Sequence, residues 1–529
     1  MRLSILLIVT LSLVAAGIVA RDVSAEDRGY STKIVLFHEE VLWDEVRDYA
    51  SQWGAKGVLV VRELPLIQSI VLKVPAHISS AELANDPRVV NVEDDQPVRI
   101  QAVSAAADGG AADGGAADGG AADGGAADGG AGESPSWSIV EPVSRPTPGE
   151  RPWGILKLYK RLRHPELLTD YLAPYDIPNV IKGALSRMRS RTIRIALFDT
   201  GIDYGHPSLA GKVHGGVDIT TMTNGIPMDD NGHGTHIAGI LCASLKGYPF
   251  GLVPSVRLYS VKVLDQYATG NLLNIISGLD WAIKNRMNIV NMSISYRENS
   301  PAVHRAVQKA YQAGIIIVAA AGNRSNWLSP APGVSSVGGA ADGGAADGGA
   351  ADGGAADGGA ADGGAADGGA ADGGAGGSSG AGLRRYPVMY PARYPEVISV
   401  GASTPYGTLA EFSNADEELD ITAPGTRIVS TNLRKWGGFG LCGGTSMATS
   451  HVTGAVAMML ALDPTLTVPE IKTILWQTAD VIRNTDFIGY DLNLVAVLEY
   501  IWRDAGNAKN QKNQELLSIL KRMVTGVNF

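Results

Sequence analysis

From residue 193 onward, short apolar runs alternate with stretches of helical period. Residues 193–198, 256–263, 289–292, 315–319 and 397–400 are rich in Val, Ile and Ala, with few charges. Such runs suit strands buried on both faces of a parallel sheet. Between them, residues 272–285 and 301–313 carry apolar positions at helical spacing. The alternation predicts an α/β domain with a mostly parallel, doubly wound sheet. In such folds the site lies beyond the carboxyl ends of the strands, so the residues just past each strand are the ones to read.

The N-terminal part has a different rhythm. Residues 34–37 read as a strand, Trp43, Val46, Tyr49 and Ala50 recur at helical spacing, and Gly54 closes that helix. Two β-branched runs, 58–64 and 67–74, are parted by Pro65-Leu66. Ser79 or Ser80 then caps a short helix, and residues 89–92 give a last strand before the acidic cluster Glu93-Asp94-Asp95. The order β-α-β-β-α-β predicts a small α+β unit of the ferredoxin-like kind.

Two Ala-Ala-Asp-Gly-Gly blocks interrupt the chain, one over residues 105–131 and one over about 340–375. They have no apolar periodicity and read as flexible linker; a calcium-binding repeat would need a longer period and an apolar position. At the start, Arg2 precedes an apolar run over residues 3–20, and Val23-Ser24-Ala25 offers small residues for cleavage. That is a secretory signal pattern, with an uncleaved membrane anchor as the rival. The expected organisation is signal 1–25, α+β unit 26–104, linker 105–150, α/β domain 151–505 with a low-complexity insertion at about 338–382, and a helical tail 506–529. In that tail Leu516, Ile519, Leu520 and Met523 form an amphipathic stripe expected to dock on the body.

Charge and cysteine content narrow the partners. Of the 529 residues, 44 are Lys or Arg and 54 are Asp or Glu, for a net charge of -10. Twelve of the acidic residues belong to the repeats, so the remainder is near neutral. Nothing here points to nucleic acid. The two cysteines, Cys242 and Cys442, are expected to be free thiols.

Four strand or helix ends carry candidate chemistry. Residues 193–198 run into Asp199-Thr200-Gly201, where the carboxylate can stay ionised or can simply close a turn. The segment Asn231-Gly232-His233-Gly234-Thr235-His236 opens a helix at His233; a zinc site there would need a third ligand, and no His-Glu-x-x-His pattern is present. Residues 315–319 lead to Ala321-Gly322-Asn323, whose carboxamide can donate to an oxyanion or form a turn. Gly444-Thr445-Ser446-Met447-Ala448 starts a long helix ended by Pro464, and Ser446 there is a nucleophile or an N-cap.

Taken together these motifs, in the order Asp, His, Asn, Ser, resemble the subtilisin-like serine proteases, or subtilases. The resemblance runs from Trp153 to about Tyr500 and includes Tyr390-Pro391-Ala392. It implies Ser446 as nucleophile, His233 as general base, Asp199 as its orienting carboxylate and Asn323 as oxyanion donor. Residues 30–101 likewise resemble the subtilase propeptide, through residues 34–37 and 87–95. That implies a zymogen whose own N-terminal unit inhibits it and is then cut away by the enzyme. Protein or peptide substrates are implied, binding as an added strand along Ala268-Thr269-Gly270 and Ser293-Ile294-Ser295. The expected enzyme is a secreted or periplasmic serine endopeptidase, and a monomer.

Specificity expectations come from the same resemblance. Gly270, Ser293, Ser295, Gly322, Arg324 and Met389 stand at substrate-binding positions. Ser295 stands where the family often has glycine and predicts a narrower cleft. Met389, in place of a small residue at the base of the main pocket, and Arg324, near its rim, predict that large aromatic P1 side chains are disfavoured and acidic ones tolerated. No cofactor is expected for catalysis. A structural calcium is conceivable by the resemblance, but Ser208 replaces an acidic ligand and the usual strong site reads as lost. Ser450 replaces the proline usual four residues after the nucleophile. The alternative from another class is a catalytically silent, protease-shaped binding or surface protein.

Overall fold

A computed structural model describes residues 29–100, 141–142, 153–160, 179–190, 192–245, 248–249, 251–323, 386–484 and 487–503. The expectations for the signal segment, both repeat blocks, Arg324 and residues 506–529 lie outside the described residues.

The N-terminal unit runs β1 (Tyr30–Phe37), α1 (Trp43–Gly54), β2 (Leu59–Leu64), β3 (Ser69–Pro75), α2 (Ser80–Ala84) and β4 (Val89–Asp94). Its antiparallel sheet has the order β2-β3-β1-β4, the ferredoxin-like arrangement. Apolar side chains on one face, among them Val35, Phe37, Ile70 and Leu72, pack with Val46, Tyr49 and Leu83 of the two helices into a core of their own. Ser79, rather than Ser80, caps α2: its Oγ accepts from Glu82 N, while the Glu82 carboxylate accepts from Ser79 N at 2.8 Å. A further strand, β5 (Pro97–Ile100), leaves this sheet altogether.

The larger part contains β6 (Glu141–Pro142), α3 (Trp153–Lys160), α4 (Asn179–Ser190), β7 (Arg194–Asp199), β8 (Val213–Asp218), β9 (Thr223–Asn224), α5 (His233–Cys242), β10 (Ser244–Leu245) and β11 (Tyr248–Pro249). It continues through β12 (Arg257–Lys262), β13 (Thr269–Asn271), α6 (Leu272–Lys284), β14 (Ile289–Met292), β15 (Ile294–Ser295), α7 (Pro301–Gln312) and β16 (Ile316–Ala320). It ends with β17 (Val397–Ser403), β18 (Ile421–Pro424), β19 (Ile428–Thr431), β20 (Phe439–Cys442), α8 (Thr445–Leu462), α9 (Val468–Thr478), β21 (Asp480–Asn484), β22 (Phe487–Asp491) and a last helical stretch over residues 494–503.

Ten strands form one sheet in the order β21-β22-β18-β17-β16-β14-β7-β12-β8-β9. All neighbours from β22 to β8 are parallel, and only the edge strands β21 and β9 are antiparallel. The chain reaches β8 and β12 on one side of β7 and then crosses to β14, β16, β17 and β18 on the other. β7 therefore stands at the reversal of winding, where the carboxyl ends of neighbouring strands diverge and leave a crevice. Helix α8 is buried over its whole length and packs on β14, β16, β17 and β18 and against α5. Its neighbours include Phe198, Val318 and Val400 in one continuous core.

Some element ends differ from the sequence reading by a residue or two, and one difference matters. Asp199 is the last residue of β7 rather than the first after it, because β12 continues the parallel ladder to the Lys262–Asp199 pair. The carboxylate is therefore set by strand geometry. The β21–β22 hairpin has no counterpart in the sequence reading. Its Val481, Ile488 and Tyr490 are exposed, so it lacks the apolar run that flags a buried strand.

Candidate active site

Asp199 and His233 meet at the crevice. The His233 Nδ1 lies 2.8 Å from Asp199 Oδ1 and 2.9 Å from Oδ2, and both side chains are buried. Thr200 N donates to Asp199 Oδ1 at 2.8 Å, so the carboxylate has backbone as well as imidazole donors. With Nδ1–H held by an acceptor, the neutral tautomer leaves Nε2 with its lone pair. Among the described residues His233 Nε2 has no hydrogen-bond partner.

His233 can come this close because Gly234 is next in the chain. A Cβ at Gly234 would fall 2.1 Å from the carbonyl oxygen of Gly201 and 3.1 Å from Asp199 Oδ1. Any side chain there would push the helix start off the end of β7.

Ser446 is the second residue of α8 and is buried. Its Oγ donates to the Ser293 carbonyl at 3.1 Å. Thus the hydroxyl rests on the cleft strand and not on His233, a loose arrangement compatible with catalytic hydrogen bonds that tighten only around a substrate. Asn323, just past β16, accepts from Thr445 N at 3.1 Å and Thr445 Oγ1 at 2.9 Å. Those two donors fix the carboxamide oxygen toward α8, so its NH2 end points away from Thr445. Ser450 takes the place expected for proline, and its Oγ donates to Ser446 O, one turn back in α8, at 3.0 Å.

The cleft strands hold the end of the N-terminal unit. β5 lies antiparallel between β13 and β15, with Val98 opposite Gly270, Arg99 opposite both Thr269 and Ser295, and Ile100 opposite Ile294. Val98 and Ile100 are buried there. Gly270 and Ser295 therefore pair along one extended segment, and Ser293 directly precedes β15.

Gly322 and Met389 meet beside that segment. The Met389 Sδ is 3.3 Å from Ser295 Oγ, and a Cβ built on Gly322, whose φ is +109°, would lie 2.8 Å from the same sulfur. Met389 is buried, and its N–H donates to Ala321 O at 2.9 Å. Its side chain fills the space between the two cleft backbones. Arg324 falls outside the described residues.

The N-terminal unit is also tied to the two helices next to the cleft. Glu93 Oε1 accepts from Ala302 N, at the start of α7, at 2.9 Å, and Asp95 Oδ1 accepts from Leu273 N, at the start of α6, at 3.2 Å. Burial raises the Glu93 carboxyl to about 7 and the Asp95 carboxyl to about 6, although these backbone donors pull the other way. Arg305 Nη1 donates to Phe37 O at 2.7 Å and Ile67 O at 3.2 Å, and Lys309 pairs with Glu39 at 2.8 Å. The acidic cluster was visible in the sequence; its role as helix cap needs the tertiary contact.

His236 does not join the site. It is fully buried, and desolvation lowers it to about 3. Among the described residues no group of three His, Cys, Asp or Glu side chains could hold a metal ion. Ser208, where the resemblance places an acidic ligand, is buried, and its N–H donates to His206 Nδ1 at 3.0 Å. Cys242 and Cys442 are both buried and form no disulfide with each other.

Comparison with known proteins gives one answer. Residues 190–516 match the subtilase family. Subtilisin J of Geobacillus stearothermophilus is 34% identical over 322 residues, which are 60% of this chain and 69% of its own. Subtilisin of Bacillus pumilus is 33% identical over 322 residues, 60% of this chain and 96% of its own. Among solved structures, fervidolysin of Fervidobacterium pennivorans, a keratinolytic enzyme related to subtilisin, superposes with a TM-score of 0.58 at 19% identity. That match covers 89% of this chain and 61% of the fervidolysin chain, and at that identity it speaks for the fold.

Proposed function

The chain belongs to the subtilase family of serine endopeptidases, and from that premise we propose that Ser446, His233, Asp199 and Asn323 carry its chemistry and that it is made as a self-processing precursor for export. His233 Nε2 takes the proton of Ser446 as Oγ attacks the scissile carbonyl, then passes it to the leaving amine. Asp199 holds the imidazole in the required tautomer and stabilises the imidazolium. The Asn323 carboxamide and the Ser446 N–H, at the positive end of α8, face the oxygen that gains charge. The reaction calls for no cofactor.

The observation that carries the precursor reading is β5. It occupies the groove as an extended peptide would, main chain to main chain on both sides, while Glu93, Asp95, Phe37 and Ile67 bind the neighbouring helices. Peptide or protein substrates would take the same place once it leaves. β5 ends at Ile100 opposite Ile294, the residue next to Ser293, whose carbonyl holds the Ser446 hydroxyl. The first bond cut would then join Gln101 to Ala102; both lie outside the described residues.

A fluorophosphonate probe tests the nucleophile. Mature protein should be labelled once, at Ser446, and Ser446→Ala should not be labelled. Absence of labelling in mature wild type would mean a silent protease fold.

A further inference from the structure

The Asp199–His233 pair rests on a second buried carboxylate. Asp229 is almost wholly buried and accepts five hydrogen bonds. Its Oδ1 takes Thr200 Oγ1 at 2.8 Å, Asn231 N at 3.0 Å and Gly232 N at 2.9 Å. Its Oδ2 takes Thr235 N at 2.9 Å and Thr235 Oγ1 at 2.6 Å. Four of these donors belong to the turn and first residues of α5, which carry His233. The fifth belongs to Thr200, the neighbour of Asp199. A single side chain thus joins the strand end that presents the carboxylate to the helix start that presents the imidazole.

We propose that Asp229 is a positioning residue for catalysis: it sets the Asp199–His233 geometry and directs the Thr200 hydroxyl away from Asp199. The proposal rests on the triad reading above. Thr200 Oγ1 lies 2.8 Å from Asp229 Oδ1 and 3.3 Å from Asp199 Oδ1, and it has one proton to give. It gives that proton to the nearer acceptor and in turn accepts from Gly234 N at 3.1 Å. Asp199 is then spared a further donor. A carboxylate with fewer donors is the better partner for an imidazolium.

Asp229→Asn breaks this arrangement without changing the volume. The carboxamide has one acceptor oxygen and one NH2, so at least two of the five donors must face a donor. If the NH2 faces Thr200, the hydroxyl turns to Asp199 Oδ1. The added donor stabilises the Asp199 carboxylate alone, weakens its hold on the imidazolium and lowers the proton affinity of His233. A positioning error and a weaker base both act on turnover rather than on substrate binding.

The test uses full-length protein allowed to mature, with active sites counted by the fluorophosphonate probe. Labelling of wild type and its absence in Ser446→Ala establish the triad reading independently of Asp229. For Asp229→Asn, kcat per labelled site should fall about tenfold or more with KM within about twofold, and the acid limb of the kcat/KM profile should move to lower pH. Thr200→Val, which loses the tie to Asp229 but leaves no hydroxyl to turn to Asp199, should reproduce the fall in kcat with the acid limb unmoved. Thr200→Ser should retain near wild-type kcat, because Ser keeps the hydroxyl; the acid-limb criterion applies to Asp229→Asn. The Thr200 pair decides the matter alone if Asp229→Asn does not mature. The proposal is overturned if the variants lose thermal stability while kcat and the acid limb per labelled site stay at wild-type values, or if Thr200→Ser falls as far as Thr200→Val.

Discussion

The sulfur of Met389 sits 3.3 Å from the hydroxyl of Ser295, across the groove wall formed with Gly322. On the proposed site reading, Ser295 of β15 and Met389, just before Tyr390, narrow the space into which a large P1 ring would enter. A peptide library should show Phe and Tyr disfavoured at P1 relative to unbranched polar side chains. Met389→Gly should raise kcat/KM for P1 Phe by about tenfold or more, since even one methylene in such a pocket is worth roughly 10- to 200-fold. A wild-type preference for Phe or Tyr would refute the pocket assignment.

Release of the N-terminal unit should depend on pH. Glu93 and Asp95 rise on burial to about 7 and about 6 from ordinary values of 4.5 and 3.8. Carboxyls with raised values in the bound state favour binding when protonated. Their contribution is therefore fully present below about pH 4, and it is lost as pH rises through about 6 to 7. The cut N-terminal segment should stay on the enzyme at pH 5 and leave faster at pH 8, as read by size-exclusion chromatography of Ser446-inhibited enzyme. Glu93→Gln should flatten much of that dependence. Equal retention at both pH values would contradict it.

Kinetics should separate Asn323 from Asp199. The loss found for the corresponding amide donor in a subtilisin, about 10²–10³ in kcat, is the expectation for Asn323→Ala, with KM little changed. Asp199→Asn should cost more, about 10⁴, because it favours the wrong tautomer of His233. Steady-state assays on one peptide substrate suffice. An Asn323→Ala enzyme with wild-type kcat would remove it from the oxyanion site.

The parallel sheet was legible because its central strands are continuous apolar runs, and α8 because a Gly-Gly start and Pro464 bracket it. The Asp-Thr-Gly, His-Gly-Thr-His and Gly-Thr-Ser-Met-Ala segments marked the site because strand and helix ends must carry it. What escaped notice is long-range. Asp229 lies four residues before His233, and its spacing to Gly232 resembles an ordinary turn acceptor; only the bond to Thr200, far back in the chain, gives it a role. Arg305 reads as one more charge on an amphipathic helix, yet it holds two carbonyls of the N-terminal unit. The β21–β22 hairpin was illegible because its exposed face breaks the apolar pattern.

The most direct test is the intact mass and N-terminal sequence of wild type and Ser446→Ala, each expressed without residues 1–25. The account predicts wild type with a new N-terminus at Ala102 and the mutant uncut, with its N-terminal unit in place. If both remain whole, or both are cut at the same bond, Ser446 does not process its own chain and the precursor reading fails.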